Sequence, residues 1–215
     1  MTEASNDLPE LPAQAFEKVD ASADGLFYDV PRFVTHIDDH AIAAVTALYR
    51  EEFPAGGVVL DLMGSWVSHL PDEVAYAEVI GHGMNEDELK ANQRYQRWFV
   101  HDLNENPVLP LGGATIDAVA LCVSVQYLQQ PVAVFREVLR VVKPGGLIAI
   151  TFSNRCFPTK AVAIWQALAM GQHKRLVALY LERAGFAAVE ARTLVEQGLE
   201  YDPLWVVIGR KAATP

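Results

Sequence analysis

The sequence predicts an α/β fold in which helices cover both faces of a doubly wound, mostly parallel sheet. A chain of 215 residues, 51% hydrophobic and 20% charged, suits one compact domain with a substantial core. Short apolar runs alternate with segments of helical periodicity, and the runs are apolar on both faces, which is typical of parallel strands covered by helices. Strands are expected at 58–62, 77–81, 98–102, 118–123, 147–152, 187–194 and 204–211.

Helical signals lie before and between these strands. Asp38 or Asp39 can cap the first long helix, and Asn85 can cap another whose first turn is acidic. The clearest helix spans residues 131–142, with Pro in its first turn and Lys-Pro-Gly-Gly directly after it. A mostly helical stretch follows the fifth strand and ends near Ala184.

The chain is predicted to form a single domain with an N-terminal extension. Residues 1–25 are polar and acidic, and we expect a disordered tail there. Residues 26–57 should form a lid and the first helix, and residues 58–215 the sheet-bearing domain. No apolar run could cross a bilayer and the first residues have no signal-peptide pattern, so we expect a cytoplasmic protein that does not bind membranes.

Charge and cysteine content exclude several functions. The net charge of −10 and the dispersed Lys and Arg residues would repel phosphate backbones, so we expect no nucleic-acid partner. With only Cys122 and Cys156, neither a disulfide nor a cysteine metal site is expected. The spacing of His36, Asp38 and His40 at a helix start is common by chance, and we predict no metal.

The residues that end each strand should form the functional site, because ligands of doubly wound sheets bind beyond the carboxyl ends of the strands. The segments concerned read VVLDL, FVHDL, IDAVALCVSVQYL and FREVLRVVKPGGLIAITF. Over roughly residues 58–152 they resemble the class I S-adenosylmethionine-dependent methyltransferases, particularly the branch that includes the ubiquinone and menaquinone biosynthesis enzymes. The resemblance implies a Rossmann-like three-layer sandwich with an antiparallel edge strand, S-adenosylmethionine as cofactor and a small-molecule methyl acceptor.

The resemblance also assigns roles to residues after the third and fourth strands. Asp102 should accept a hydrogen bond from the adenine amino group, with Leu103 beside it. Ser124 and Val125 should line the cofactor near its sulfonium.

The loops after the first two strands depart from the family pattern. The family has an acidic residue followed by glycines after the first strand, whereas this chain has a single, displaced glycine, so the methionine portion must be held differently. An acidic residue normally binds the ribose hydroxyls at the end of the second strand, and the aligned position is Gly83. Asn85 could hydrogen-bond a ribose without the charge. The cofactor candidates in these loops are Asp61, Met63, Gly64, Ser65, Gly83, Met84 and Asn85.

In related methyltransferases an N-terminal segment folds over the cofactor as a lid. By that resemblance Tyr28 and Arg32 could contact the ligand, and His36 could face the acceptor. The alternative is that Phe27 and Phe33 only pin the segment to the core.

Methyl transfer depends mainly on placing the acceptor atom in line with the methyl group, and a general base is needed only if the acceptor must lose a proton. His36, His69 and Tyr127 are the candidate bases. His69 belongs to the cluster GSWVSHLP, in which Trp66 could instead be a packing residue and Ser68 the cap of a following helix.

Arg155, after the fifth strand, suits an acceptor carboxylate or phosphate, or is a surface residue. The competing hypothesis for the whole chain is a non-catalytic binding or regulatory protein on the same scaffold, for which the altered loops at Met63 and Gly83 are the motivation. A homodimer is compatible with either function.

Overall fold

The computed structural model describes residues 7–213 and has a seven-stranded sheet with helices on both faces. The strands are β1 (Val58–Asp61), β2 (Glu78–Gly83), β3 (Arg97–Val100), β4 (Ile116–Cys122), β5 (Val142–Ser153), β6 (Ala188–Val195) and β7 (Leu204–Arg210). The helices are α1 (Asp24–Tyr28), α2 (Asp39–Glu52), α3 (Glu86–Ala91), α4 (Pro131–Val141), α5 (Ala163–Ala167) and α6 (His173–Ala184). Short 3-10 turns lie at Ala13–Phe16, Val125–Tyr127 and Met170–Gln172. All seven predicted strands are confirmed, and Asp38 and Asn85 cap α2 and α3 as predicted.

The strand order is β3-β2-β1-β4-β5-β7-β6, which confirms the doubly wound topology. Neighbouring strands from β3 across to β5 pair in parallel. The predicted antiparallel strand is β7, which pairs antiparallel with both β5 and β6 one place in from the edge. The chain winds outward from β1 in one direction and from β4 in the other. A crevice therefore opens at the carboxyl ends of these two central strands.

The core lies in two apolar clusters, one on each face of the sheet. Successive strand residues point to opposite faces, so Leu60 joins the cluster under α4 and α6, and Val59 joins the cluster under α2. Phe135 of α4 and Tyr49 of α2 are fully buried in these clusters. This two-sided burial explains why the strands are continuously apolar in sequence.

Two connections between strands of the parallel part contain no helix, those from β1 to β2 and from β3 to β4, and one interpretation of the sequence places a helix after Ser68 in the first. Residues 62–77 join β1 to β2 in irregular conformation, and Leu70 and Tyr95 fill the face that a crossover helix would cover. The Tyr95 ring lies so close to β2 that a Cβ atom at Gly81 would be 2.2 Å from Cε2 of the ring. The interpretation of Ser68 as the cap of a following helix is therefore wrong.

The N-terminal extension is also different from expectation. Disorder is wrong for residues 7–25, because Leu8 is buried in the main core and the segment packs on the domain. The ammonium group of Lys160, whose side chain has no exposure, lies 3.3 Å from the Asp24 carboxylate. A buried ammonium needs such a partner, and this one ties the segment down. The rest of the predicted tail, residues 1–6, falls outside the described residues.

No helix within residues 7–213 combines the length and the apolar composition that crossing a membrane requires.

Candidate active site

A cavity of about 540 Å³ lies at the carboxyl ends of the central strands, beneath the segment 24–38. Its size is that of an organic cofactor or small-ligand site. Its wall includes nearly all of the site residues expected from sequence, namely Tyr28, Arg32, His36, Asp61, Met63, Gly64, Ser65, His69, Gly83, Met84, Asn85, Asp102, Leu103, Ser124 and Tyr127. The sequence therefore predicted most of the residues that line this cavity, and the structure decides which of their polar atoms are available there.

The loop after β1 is held by His82. The backbone N–H of Met63 donates to Nδ1 of His82 at 2.9 Å, and that of Gly64 donates to the His82 carbonyl at 2.7 Å. Nε2 of His82 lies 3.0 Å from the His101 carbonyl, which can only accept, so Nε2 carries the ring proton. Burial lowers the pKa of His82 to about 4 and keeps the ring neutral. These two loop N–H groups are thus used within the protein and do not face a ligand.

His82 was missed by sequence reasoning. It lies within an apolar strand and belongs to no motif, so only its contacts reveal its role.

Gly83 is required by the path of this loop. A Cβ atom at position 83 would lie 2.5 Å from the Gly64 carbonyl oxygen and 3.1 Å from Cδ2 of Leu89. An acidic side chain could not be placed there without moving the loop. The two departures from the family pattern are therefore one structural change, in which the loop after β1 rests on the end of β2.

Asp61 is a buried carboxyl group in the cavity wall. Tyr95 donates its hydroxyl to Oδ2 of Asp61 at 2.8 Å, and no cationic side chain within residues 7–213 pairs with it. Burial raises the pKa of Asp61 to about 7. A buried carboxylate without a cation is costly, and a cationic ligand group beside it would lower that cost.

Asn85 connects α3 to the lid. Its Oδ1 accepts from the backbone N–H of Glu88 at 3.1 Å, and its Nδ2 donates to the carbonyls of Tyr28 and Asp29 at 2.9 and 3.0 Å. Both N–H directions of the amide are used. The predicted ribose contact of Asn85 is therefore not available in this arrangement, and the residue is a helix cap and lid anchor.

Glu88, which sequence reasoning did not select, lies beside Asn85 in the cavity wall. Its Oε1 accepts from the backbone N–H of Arg32 at 2.6 Å, and its Oε2 accepts from the hydroxyl of Ser65. One carboxylate thus joins the lid to the loop after β1. The helical signal of the segment masked this role, because first-turn acids are ordinarily explained by the helix dipole.

The predicted lid lies over the cavity. The Trp66 indole donates to the Val34 carbonyl at 3.1 Å. The Arg32 guanidinium donates to the Phe27 carbonyl at 2.8 Å and stacks over the Phe27 ring at 4.5 Å. Phe27 in turn packs against Phe157, at 5.1 Å between ring centroids. Phe27 therefore pins the segment as the alternative interpretation expected, whereas Phe33 is 51% exposed, and residues of the segment also line the cavity.

His36 and His69 line the same cavity, and the proximity of His36 lowers the pKa of His69 further than burial alone. Burial is the main cause that lowers the pKa of each ring. Both are thus neutral near pH 7 and able to accept a proton. Tyr127 is less suited, because burial raises its pKa to about 12 and its hydroxyl accepts from the Phe157 backbone N–H at 2.9 Å.

The residues predicted to contact the adenine and to lie near the sulfonium follow strands β3 and β4. Oδ1 of Asp102 accepts from the backbone N–H of Asn104 at 2.8 Å, and within residues 7–213 its other oxygen has no hydrogen-bond donor. Leu103 and Ser124 both line the cavity. The prediction for Val125 is wrong, since its side chain is 2% exposed and packs in the core rather than in the cavity wall.

Val123, at the end of β4, is a further wall residue that the sequence did not single out. Its φ of 45° is in the left-handed region, which is uncommon for a β-branched residue. Its N–H donates to the Thr151 carbonyl and its carbonyl accepts from the Gln126 side chain, both at 2.8 Å. These bonds hold the strained turn that brings Ser124 to the cavity.

Arg155 reaches the cavity from the turn after β5. Its Nε donates to Oδ1 of Asp202 at 2.7 Å, and its side chain is 61% exposed. Asp202 also accepts from the backbone N–H of Asp38 at 3.0 Å. The terminal nitrogens of Arg155 have no partner within the described part of the chain, so they can meet an anionic group.

The described residues contain no cluster of three or more His, Cys, Asp or Glu side chains that could hold a metal ion.

Residues 63–150 match a family model described as a methyltransferase domain, and no curated protein matches the sequence. Similar solved structures include a SAM-dependent methyltransferase from Archaeoglobus fulgidus (17% identity, 79% of this chain, 94% of that chain, TM-score 0.57). Another is an S-adenosylmethionine-dependent methyltransferase from Mesorhizobium loti (17% identity, 78% of this chain, 98% of that chain, TM-score 0.54). The cyclase SpnF is also similar (15% identity, 79% of this chain, 81% of that chain, TM-score 0.60). At these identities the likeness to solved structures concerns the fold.

Proposed function

We propose that this chain, whose residues 63–150 match a model of a methyltransferase domain, is a class I S-adenosylmethionine-dependent methyltransferase that transfers a methyl group from S-adenosylmethionine to a small-molecule acceptor. The observation that carries the proposal is the covered cavity of about 540 Å³. Among residues 7–213, nothing donates to one carboxylate oxygen of Asp102 in this cavity, and no cation pairs with the buried carboxyl of Asp61. A cavity that the chain's own N-terminal segment partly covers favours a small acceptor over a macromolecule.

The residues present fit the proposed cofactor at both of its ends. Asp102 follows β3 and can accept from the adenine amino group with its free oxygen. Asp61 follows β1 and offers a negative charge to the ammonium group of the methionine portion. When bound, S-adenosylmethionine supplies an electrophilic methyl group, and the protein needs no nucleophile of its own.

The acceptor end lies where His36, His69 and Arg155 meet the cavity. A neutral imidazole can take a proton from a hydroxyl or amine as that group is methylated. The unpaired nitrogens of Arg155 suit a carboxylate or phosphate on the same molecule. We therefore infer an acceptor that carries both an acidic group and a hydroxyl or amine that loses a proton when it is methylated.

We also infer that no nucleic acid takes part. The net charge is −10, and six carboxyl groups line the cavity. Such a surface opposes the binding of a phosphate backbone.

Calorimetry with S-adenosylmethionine and S-adenosylhomocysteine tests the cofactor, and we expect micromolar binding of both. Mass spectrometry of products from a panel of small alcohols and amines tests the transfer. We expect the members that also carry a carboxylate or phosphate group to react. A folded protein that binds neither adenosyl compound would contradict the proposal. It would favour the non-catalytic binding protein, for which the occupied loop N–H groups of Met63 and Gly64 are the specific observation.

A further inference from the structure

The cavity wall contains more carboxylates than the protein itself neutralises. Those of Asp24, Asp38, Asp61, Glu88, Asp102 and Asp202 all line it. Asp24 pairs with two lysines and Asp202 pairs with Arg155, while Asp38 accepts one backbone N–H as the cap of α2 and another from Asp202. Within residues 7–213, four of the six have no cationic partner, namely Asp38 and the group formed by Asp61, Glu88 and Asp102, of which only the last three lie at or after strands β1 to β3.

These three carboxylates follow three adjacent strands. Asp61 ends β1, Asp102 follows β3, and Glu88 lies on α3, which follows β2. In the sheet β2 lies between β1 and β3. A ligand that reaches from Asp61 to Asp102 must therefore pass the end of β2 and the first turns of α3.

The end of β2 offers no side chain to that ligand, because position 83 is a glycine against the Gly64 carbonyl. Glu88 is the acidic group available on this part of the wall. Each of its oxygens accepts one hydrogen bond, from Arg32 and from Ser65 respectively. A carboxylate has about four acceptor positions, so about two remain for donors on a ligand.

We propose that Glu88 binds the ribose hydroxyls of the adenosyl cofactor and, through the same carboxylate, couples ribose binding to the closed lid. The inference rests on the proposed function. The ribose is the middle part of the adenosyl cofactor, and its two adjacent hydroxyls are donors that match the open acceptor positions. The ligand hydroxyls and the backbone N–H of Arg32 then donate to the same carboxylate. Cofactor binding therefore favours the arrangement in which the lid is bound to Glu88.

The test compares wild-type protein with Glu88→Gln, which keeps the size of the side chain and removes its charge. Glu86→Gln is the matched control, because Glu86 is an exposed acid in the first turn of the same helix. The probes are S-adenosylhomocysteine, adenosine and 2′,3′-dideoxyadenosine, with the two nucleosides titrated in competition against S-adenosylhomocysteine.

We expect Glu88→Gln to lower the affinity for S-adenosylhomocysteine and for adenosine about ten-fold, which is the usual effect of losing hydrogen bonds to a charged group. Dideoxyadenosine affinity should change less than about two-fold, and Glu86→Gln should match wild type with every probe. Should Glu88→Gln fold poorly, Glu88→Asp keeps the charge but withdraws it by one methylene, and the same selective loss is expected.

An equal loss for adenosine and dideoxyadenosine would show that Glu88 acts only on the lid and would overturn the inference. Unchanged affinities would overturn it as well. If wild-type protein binds none of the three probes, the proposed function itself fails, which is a different result from binding that Glu88→Gln leaves unaltered.

Discussion

Asp61→Asn should stabilise the ligand-free protein at neutral and alkaline pH. The residue is 3% exposed, and its carboxyl accepts from the Tyr95 hydroxyl at 2.8 Å, a hydrogen bond that an amide oxygen can also accept. Burial raises the pKa of the carboxyl from 3.8 to about 7. The folded chain thus holds this proton more tightly than the unfolded chain, and ionisation destabilises the fold.

The size of the effect follows from that pKa window. Below about pH 4 the carboxyl is protonated in both the folded and the unfolded chain, so it does not lower the free energy of unfolding. Above about pH 7 it lowers that free energy by its full amount. One pH unit across the window corresponds to about 1.4 kcal/mol, so complete ionisation costs about 4 kcal/mol. The substitution removes this cost, and its advantage over wild type should grow by about 3 kcal/mol between pH 5 and pH 8.

Urea denaturation of both proteins at pH 5, 6, 7 and 8 measures this difference. Asp72→Asn, the same change at an exposed position, is the control and should show no such trend. A difference that does not vary with pH, or an Asp61→Asn protein less stable than wild type at pH 8, would refute the reasoning. The same variant should bind S-adenosylmethionine more weakly at pH 8, since it lacks the charge for the ammonium group.

Two further substitutions probe the site. Gly83→Ala should destabilise the protein by about 1–3 kcal/mol, because the added Cβ atom would clash with the Gly64 carbonyl. Thermal denaturation measures this effect. The control is Gly198→Ala, whose added Cβ atom would meet no atom within 4 Å. An equal melting temperature for the two variants would show that the loop moves freely. Asp102→Asn keeps an oxygen for the Asn104 N–H but replaces the other oxygen with an amide donor. The affinity for S-adenosylhomocysteine, measured by calorimetry, should therefore fall about ten-fold, while the stability of the ligand-free protein should remain nearly unchanged. Unaltered affinity would remove the adenine assignment.

Much of the fold was predictable because its signals are local. Each strand is a short run buried on both faces, and this burial leaves a continuous apolar pattern that needs no partner to be recognised. Helix caps at Asp38 and Asn85 act over three or four residues, so the sequence also indicates where α2 and α3 begin. The position of the cavity followed from the strand ends alone.

Two parts of the fold were not predictable in this way. The missing helix between β1 and β2 depends on Tyr95, about thirty residues away, which fills the space that a helix would occupy. The order of residues 7–25 depends on contacts such as that between Asp24 and Lys160. Both are long-range packing effects that leave no periodic pattern in the segment concerned.

The sequence by itself determined the doubly wound sheet, the strand ends that form the site and the family resemblance, since these depend on local patterns of burial and turn residues. Only the tertiary structure decided which polar atoms in the cavity are free. His82 accepts hydrogen bonds from the loop N–H groups, the Asn85 amide donates to the lid, and Glu88 and Asp61 have no cationic partner in the described part of the chain. The availability of a hydrogen-bonding group depends on neighbours brought together by folding, and no local pattern records those neighbours.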